Sequence, residues 1–165
     1  MLPEDEKVLK ASLGDDNVQM LKVRTEKLGY HYQYTRNMLQ INQAGKHFTE
    51  TALLSGIAAT DWSWSALFAD YDQDGEQDIF VANGIPKRPN DLDYVKYYSN
   101  DQIKSKLNTT KLLDKQALKK MPAGNVTNYI FQGSTDLIFK NRSKDWIEND
   151  TIISNGSGYA DIDND

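Results

Sequence analysis

The sequence of 165 residues has no cysteine, two histidines and only four prolines. The lack of cysteine excludes disulfides, thiolate metal sites and cysteine nucleophiles. No apolar run approaches the roughly 20 residues that a membrane-spanning helix needs, and no signal-peptide pattern opens the sequence. With 24 acidic and 19 basic side chains, the net charge of −5 lacks the basic excess typical of general nucleic-acid binding. We therefore expect neither a transmembrane segment nor a nucleic-acid partner, and we ask where the acidic excess lies.

The N-terminal half changes character at residue 30. Residues 1–29 are highly charged and are predicted to be helical, with Gly29 as the C-terminal stop. Residues 37–50 place apolar Leu39 and Ile41 before Gly45 and Phe48 after it, which predicts a β-hairpin. Two further strands are predicted on either side of an acidic loop, at residues 61–70 and 79–84.

The C-terminal half begins with a polar segment and then returns to a β pattern. Residues 85–127 hold three of the four prolines and are predicted to be an insertion with helices near 101–107 and 110–121. From residue 128 the sequence NYIFQGSTDLIFK again predicts a hairpin.

The acidic excess is concentrated in residues 70–78, DYDQDGEQD. Five carboxylates in nine residues repel one another in a compact loop unless a cation lies among them; the alternative is a solvated turn that binds nothing specific. Alternate spacing lets three aspartates converge, and Gly75 lets the backbone turn. All donors are oxygen, which favours Ca²⁺ over Mg²⁺, zinc or copper. The predicted ligands are Asp70, Asp72, Asp74, Glu76 through its carbonyl, and Asp78.

An EF-hand is the competing interpretation of this spacing. An EF-hand loop needs a bidentate glutamate at its twelfth position and a helix on each side. Counted from Asp70, the twelfth position is Val81, which lies in an apolar strand, and both flanks are strand-like. We therefore predict a cation loop between two β-strands.

The hairpin and the acidic loop repeat at an offset of 91 residues. Asn37 corresponds to Asn128, and the aspartates of the first loop correspond to a second series at the end of the chain. This second loop stops at its third aspartate, so we expect the chain to be a fragment. The candidate metal ligands of the second loop are Asp161, Asp163 and Asp165.

The stretch DWSWSALFADYDQDGEQDIFVANG, with NMLQINQAGKHFTE before it, resembles an FG-GAP/VCBS-type repeat. More narrowly, it resembles bacterial secreted proteins akin to cartilage acidic protein, as do MLPED, RPNDLDYVKYYSN and MPAGNVTNYIFQG. The resemblance implies a mainly β fold: a partial β-propeller of about two blades, with an α-helical N-terminal segment and an α-helical insertion. The expected boundaries are a helical lead-in (1–29), a blade with a Ca²⁺-binding loop (30–84), the insertion (85–127) and a truncated second blade (128–165).

The resemblance also implies a function. It indicates a calcium-binding propeller region of an extracytoplasmic protein, whether secreted, periplasmic or on the outer cell surface. Such a region acts as a non-enzymatic scaffold that binds a protein, a glycan or a surface. The alternative is a non-catalytic propeller within a larger secreted enzyme that acts on polysaccharide or another extracellular substrate. A catalytic constellation outside these residues would distinguish the two.

The aromatic side chains of the strand at 61–70 and the two histidines are not predicted to form a binding or catalytic site. Trp62, Trp64 and Phe68 alternate along one strand, and packed blades bury such faces, which favours an inter-blade core over a ligand platform. His31 and His47 lack the nucleophile or paired acid that catalysis requires, and we predict surface or strand-packing roles for both.

Overall fold

A computed structural model describes residues 2–12, 18–100, 111–148 and 150–160 of the chain. The chain divides into two compact units. Unit 1 comprises Met1–Glu4, Arg36–Pro86 and Asn125–Asp165, and unit 2 comprises Asp5–Thr35 and Lys87–Gly124. Within the described ranges, no helix combines the length and the apolarity that crossing a membrane requires.

The described strands all lie in unit 1 and form two antiparallel sheets. The first sheet pairs β1 with β2, and the second has the strand order β3-β4-β5-β6, so each strand pairs with its neighbour in sequence. No closed barrel forms among the described strands. The strands are β1 (Gln40–Asn42), β2 (Phe48–Glu50), β3 (Ser63–Ala69), β4 (Asp78–Asn83), β5 (Tyr129–Gln132) and β6 (Lys140–Asn141).

Helical segments occur in both units. Most belong to unit 2, and one short helix follows β6 in unit 1. The helices are α1 (Glu6–Ala11), α2 (Val18–Lys22), a π-helical turn (Val23–Lys27), α3 (Leu92–Ser99), α4 (Lys111–Lys120) and α5 (Ser143–Trp146).

The core of unit 1 is built on β4 and β5. Five of the six residues of β4 are buried, as expected for a strand paired on both sides. Small and branched side chains from the loop after β2 pack against this pair of strands. The buried apolar cluster comprises Ala52, Ile57, Ala58, Ile79, Val81, Phe131 and Phe139.

A half-buried ion pair holds the β1–β2 hairpin beside this core. Arg36 Nη2 lies 2.6 Å from Glu50 Oε2, and the backbone N–H of Ala52 donates to Glu50 Oε1 at 2.8 Å. The guanidinium of Arg36 is the main reason why the pKa of Glu50 falls to about 2. The pair anchors the end of β2 to the chain that enters β1.

Unit 2 joins the N-terminal segment to the residues between β4 and β5. Ser12 forms an antiparallel bridge with Asp91, and the side chain of Asp91 caps α3 by accepting from the N–H of Tyr94 at 2.9 Å. Lys120 Nζ lies 4.6 Å from the centre of the Tyr97 ring, which is a cation–π contact between α4 and α3. The lead-in and the insertion, which the sequence suggested as separate segments, therefore share one compact unit.

The local predictions succeed where the hydrophobic pattern is regular. Both hairpins form, with β1–β2 turning at Gly45 (φ 76°) and β5–β6 following Asn128. The predicted helix at 110–121 is confirmed as α4. The predicted C-terminal stop of the N-terminal helical segment is confirmed at Gly29, whose φ is 72°. The predicted helix at 101–107 lies outside the described residues.

Two expectations about the fold need correction. The chain is a mixture of helices and antiparallel sheets and not mainly β, because described helical residues outnumber strand residues. Helix α3, which is capped by Asp91 and which the sequence pattern does not predict, contributes to this difference. The strands at 129–141 also do not begin a separate sheet, because β5 pairs with β4 from Ile79–Phe131 to Val81–Tyr129. The expected boundary between two blades at residues 84 and 128 therefore falls inside one hydrogen-bonded sheet.

Candidate metal centre

The acidic loop (residues 70–78) connects β3 to β4, as predicted. Pairing of the two strands runs from Ser63–Asn83 to Ala69–Asp78, so the loop begins where the ladder ends. The backbone turns through left-handed conformations at Gln73 (φ 60°) and Gly75 (φ 92°). A Cβ on Gly75 would meet no atom within 4 Å, so glycine is favoured there by its backbone angle and not by crowding.

Three of the predicted ligands converge in this loop. Asp70, Asp72 and Asp78 each place one carboxylate oxygen within 4.8 Å of the others. Two oxygens bound to the same Ca²⁺ at its usual distances lie no more than about 5 Å apart, so this set fits one such ion. The donors are all carboxylate oxygens, the ligand type that hard divalent cations prefer.

Asp78 forms the buried base of the cluster. Its side chain is 0% exposed, and its two oxygens accept the backbone N–H groups of Tyr71 at 2.9 Å and Gly133 at 2.8 Å. Both carboxylate oxygens of this buried side chain are therefore satisfied within the protein. The carboxylate thus connects the start of the loop to the end of β5.

Asp70 organises the middle of the loop. Its Oδ1 accepts the N–H of Asp74 at 3.0 Å, and its Oδ2 accepts the N–H of Gly75 at 2.8 Å. These bonds curl the backbone around the carboxylate, so the side chain lies on the inner side of the turn.

Asp74 and Glu76 are placed differently from the three converging aspartates. Asp74 Oδ1 accepts the backbone N–H of Glu76 at 2.8 Å, and its carboxylate is not part of the converging group. Glu76 is half-buried, and its predicted contribution through the carbonyl stays a prediction. The second predicted ligand set, Asp161, Asp163 and Asp165, lies outside the described residues.

Residues at the end of β5 complete the surroundings of the loop, and sequence reasoning missed them. Gln132 Nε2 donates to Asp72 Oδ2 at 2.6 Å, and the N–H of Gly133 donates to Asp78. A Cβ on Gly133 would lie 2.1 Å from the carbonyl oxygen of Gln77, so only glycine permits this approach. The sequence signal was a glycine directly after an apolar strand, but nothing in the sequence indicated that this strand would pair with β4.

Tyr71 lies at the start of the acidic loop, and 37% of its surface is exposed. Burial is the main cause that raises the pKa of the Tyr71 phenol, and the negative charge of Asp78 and the neighbouring Tyr159 add to it. Asp72 is the exposed member of the three converging aspartates.

The aromatic face of β3 is exposed in this chain. Trp64 and Phe68 are 53% and 49% exposed, and burial alternates along the strand as predicted. They line a groove of about 250 Å³ together with Met38 and Leu39. Within the described residues these side chains do not form a core, and their packing between blades stays a prediction.

The two histidines are both exposed, and neither lies in the acidic cluster. The arrangement around residues 70–78 is therefore suited to holding a cation and not to proton transfer by histidine.

No protein-family model matches the chain, and no curated protein or solved structure matches it either.

Proposed function

We propose that the acidic loop binds Ca²⁺ and that the bound ion stabilises the β3–β4–β5 part of the sheet. The observation that carries this proposal is the convergence of Asp70, Asp72 and Asp78 within 4.8 Å, with Asp78 fully buried beneath them. A divalent cation offsets the mutual repulsion of these carboxylates and would supply positive charge at the open side of the loop.

We further propose that the chain is part of a β-propeller of the FG-GAP/VCBS type. The four strands β3 to β6 form an antiparallel meander in sequence order, which is the strand arrangement of a propeller blade. The acidic loop would then join the first two strands of that blade. The blade would run from β3 to β6, not over residues 30–84, and β1–β2 would be the outer hairpin of the preceding blade.

The exposed aromatic face of β3 supports this proposal. Trp64 and Phe68 leave apolar surface open on one side of the sheet, as expected of a repeat that buries its faces only against further repeats. In this interpretation the chain contributes to a rigid scaffold that binds a protein or glycan partner and performs no catalysis itself.

The proposed location is outside the cytoplasm. Extracellular modules bind Ca²⁺ with dissociation constants on the order of 10⁻⁴ to 10⁻³ M, which is sufficient only where Ca²⁺ is abundant. A loop with one exposed aspartate among its three converging carboxylates fits that range better than a closed, high-affinity cage.

Isothermal titration calorimetry with Ca²⁺ and Mg²⁺ tests the proposal. We expect wild-type protein to bind Ca²⁺ with a dissociation constant of about 10⁻⁴ to 10⁻³ M and to bind Mg²⁺ more weakly. Asp72→Ala should weaken Ca²⁺ binding at least tenfold, because it removes a charged ligand without emptying a buried position. Asp93→Ala is the matched control, since Asp93 is an exposed acid on α3. Absence of Ca²⁺ heat from wild type, or equal affinity in Asp72→Ala, would refute the proposal.

A further inference from the structure

The Asp72 carboxylate is held by a side chain from a distant strand. Gln132, the last residue of β5, donates from Nε2 to Asp72 Oδ2 at 2.6 Å, across 60 residues of sequence. Asp72 is an exposed residue in a loop, and side chains of this kind are otherwise free to sample many rotamers. The hydrogen bond from Gln132 keeps one carboxylate oxygen of Asp72 at a fixed place.

Arg142 fixes the orientation of the Gln132 amide. Arg142 Nε donates to Gln132 Oε1 at 3.0 Å, so both ends of the amide are engaged and a flip would lose both bonds. Arg142 is itself anchored, because its backbone N–H donates to the carbonyl of Ile130 at 2.9 Å and its guanidinium lies 3.7 Å from the carboxylate of Asp145. A connected series of side chains therefore runs from α5 through Arg142 and Gln132 to the acidic loop.

The chemistry of this contact suits a loop that receives a cation. Gln132 is neutral, so it orders Asp72 without placing a competing positive charge beside the carboxylates. The guanidinium of Arg142 stays one residue further away and polarises the amide from its far end. A lysine or arginine in direct contact with Asp72 would instead neutralise the loop and compete with the ion.

We propose that Gln132, oriented by Arg142, is a positioning residue that holds Asp72 in the converging arrangement and thereby sets the cation affinity of the loop. The affinity part rests on the proposed Ca²⁺ function, whereas the ordering of the loop does not. Partners that orient metal ligands in this way typically change metal affinity by about 10- to 100-fold when removed. They hold the ligand in its binding conformation before the ion arrives, so that ion binding does not have to order it.

The test combines calorimetry with hydrogen–deuterium exchange of residues 70–78 in the presence of chelator. We expect Gln132→Ala to weaken Ca²⁺ binding about tenfold and to speed amide exchange in the loop. Gln77→Ala is the matched control, because Gln77 is an exposed glutamine of the same loop that takes no part in the contact with Asp72. In an Asp72→Ala background, Gln132→Ala should produce no further loss of affinity.

The outcomes separate the two proposals. If wild type binds no Ca²⁺, the proposed function fails, while the exchange measurement still decides whether Gln132 orders the loop. If wild type binds Ca²⁺ and Gln132→Ala matches Gln77→Ala in both affinity and exchange, the positioning role is refuted. If Gln132→Ala does not fold, Arg142→Ala decides, with an expected loss of about three-fold in affinity and faster loop exchange. Wild-type behaviour of a folded Arg142→Ala would then overturn the inference.

Discussion

The two turns of the four-stranded sheet are held together in opposite ways. The turn at residues 133–139 joins β5 to β6 and contains one carboxylate, Asp136, which accepts from the hydroxyl of Ser134 and from the N–H of Ile138 within the same turn. The acidic loop joins β3 to β4 and contains five carboxylates, and one of them, Asp78, bonds to a residue of another connection, Gly133. The carboxylate of the first turn is satisfied by donors within that turn, whereas a carboxylate of the second takes a donor from beyond its own loop.

This difference shows what an accumulation of charge requires. A single carboxylate in a turn needs only local donors, which the backbone and one hydroxyl supply. Several carboxylates within 4.8 Å need donors from outside the loop, a cation, or both.

The largest difference is expected between removal of the Asp78 carboxylate from the acidic loop and removal of the Asp136 carboxylate from the 133–139 turn. Asp78→Ala leaves the backbone N–H groups of Tyr71 and Gly133 without their acceptor and should lower the free energy of unfolding by about 4 kcal/mol. Asp136→Ala should lower it far less, because the turn is exposed and its donors can bond to water instead. Urea unfolding of both variants measures the contrast, and similar losses would contradict it.

A smaller effect is expected from the glycines. Gly133→Ala should destabilise the protein by about 3 kcal/mol, because the new Cβ would lie 2.1 Å from the Gln77 carbonyl oxygen and force the loop away from β5. Gly75→Ala should cost about 1 to 2 kcal/mol, because its φ of 92° strains an alanine although the surrounding space is open. Equal losses would show that the close approach of the Gln77 carbonyl to Gly133 does not contribute to the stability of the protein.

Calcium should stabilise the protein through the acidic loop and not through the 133–139 turn. At ten times the dissociation constant, Ca²⁺ should raise the free energy of unfolding by about 1.4 kcal/mol if it binds the folded state alone. Asp136→Ala should retain this increase, and Asp72→Ala should lose it. Urea unfolding with and without Ca²⁺ gives both values, and an increase that survives in Asp72→Ala would place the ion elsewhere.

The smallest expected effect is the loss of stability at low pH when the Asp136 carboxylate becomes protonated. The hydroxyl of Ser134, and then the N–H of Ile138, hold the pKa of Asp136 below its usual value of 3.8. A carboxylate whose folded pKa is depressed adds stability that is complete above the unfolded pKa and is lost as the pH falls through the folded value, here below about pH 4. NMR titration of the side-chain carboxyl should give a pKa under 3.8, and Ser134→Ala should raise it. A value at or above 3.8 in the wild type would show that the local donors have no effect.

Local features were predictable because their causes are local. The hairpin at 37–50, the strands around the acidic loop and the left-handed turn at Gly75 follow from alternation and glycine placement over a few residues. The convergence of Asp70 and Asp72 follows from the same short-range spacing. Asp74 lies outside the converging group, and its Oδ1 accepts the nearby N–H of Glu76.

Long-range pairing was not predictable from one sequence. The repeat at an offset of 91 residues suggested that the strands after residue 128 open a second blade, but β5 hydrogen-bonds to β4 across the intervening polar segment. Periodicity indicates which face of a strand is apolar, and it does not specify the partner strand. For the same reason, the contacts of Gln132 and Gly133 with the acidic loop were missed.

The sequence by itself therefore determined where the negative charge lies, which chemistry it suits and where the backbone can turn, since all three depend on residues close together in the chain. Only the tertiary structure decided that Asp78 is buried, that β5 supplies its second donor, and that Gln132 reaches Asp72. These depend on which strands pair across about 50 residues, and that choice is made by the packing of Ile79, Val81 and Phe131 in a shared core.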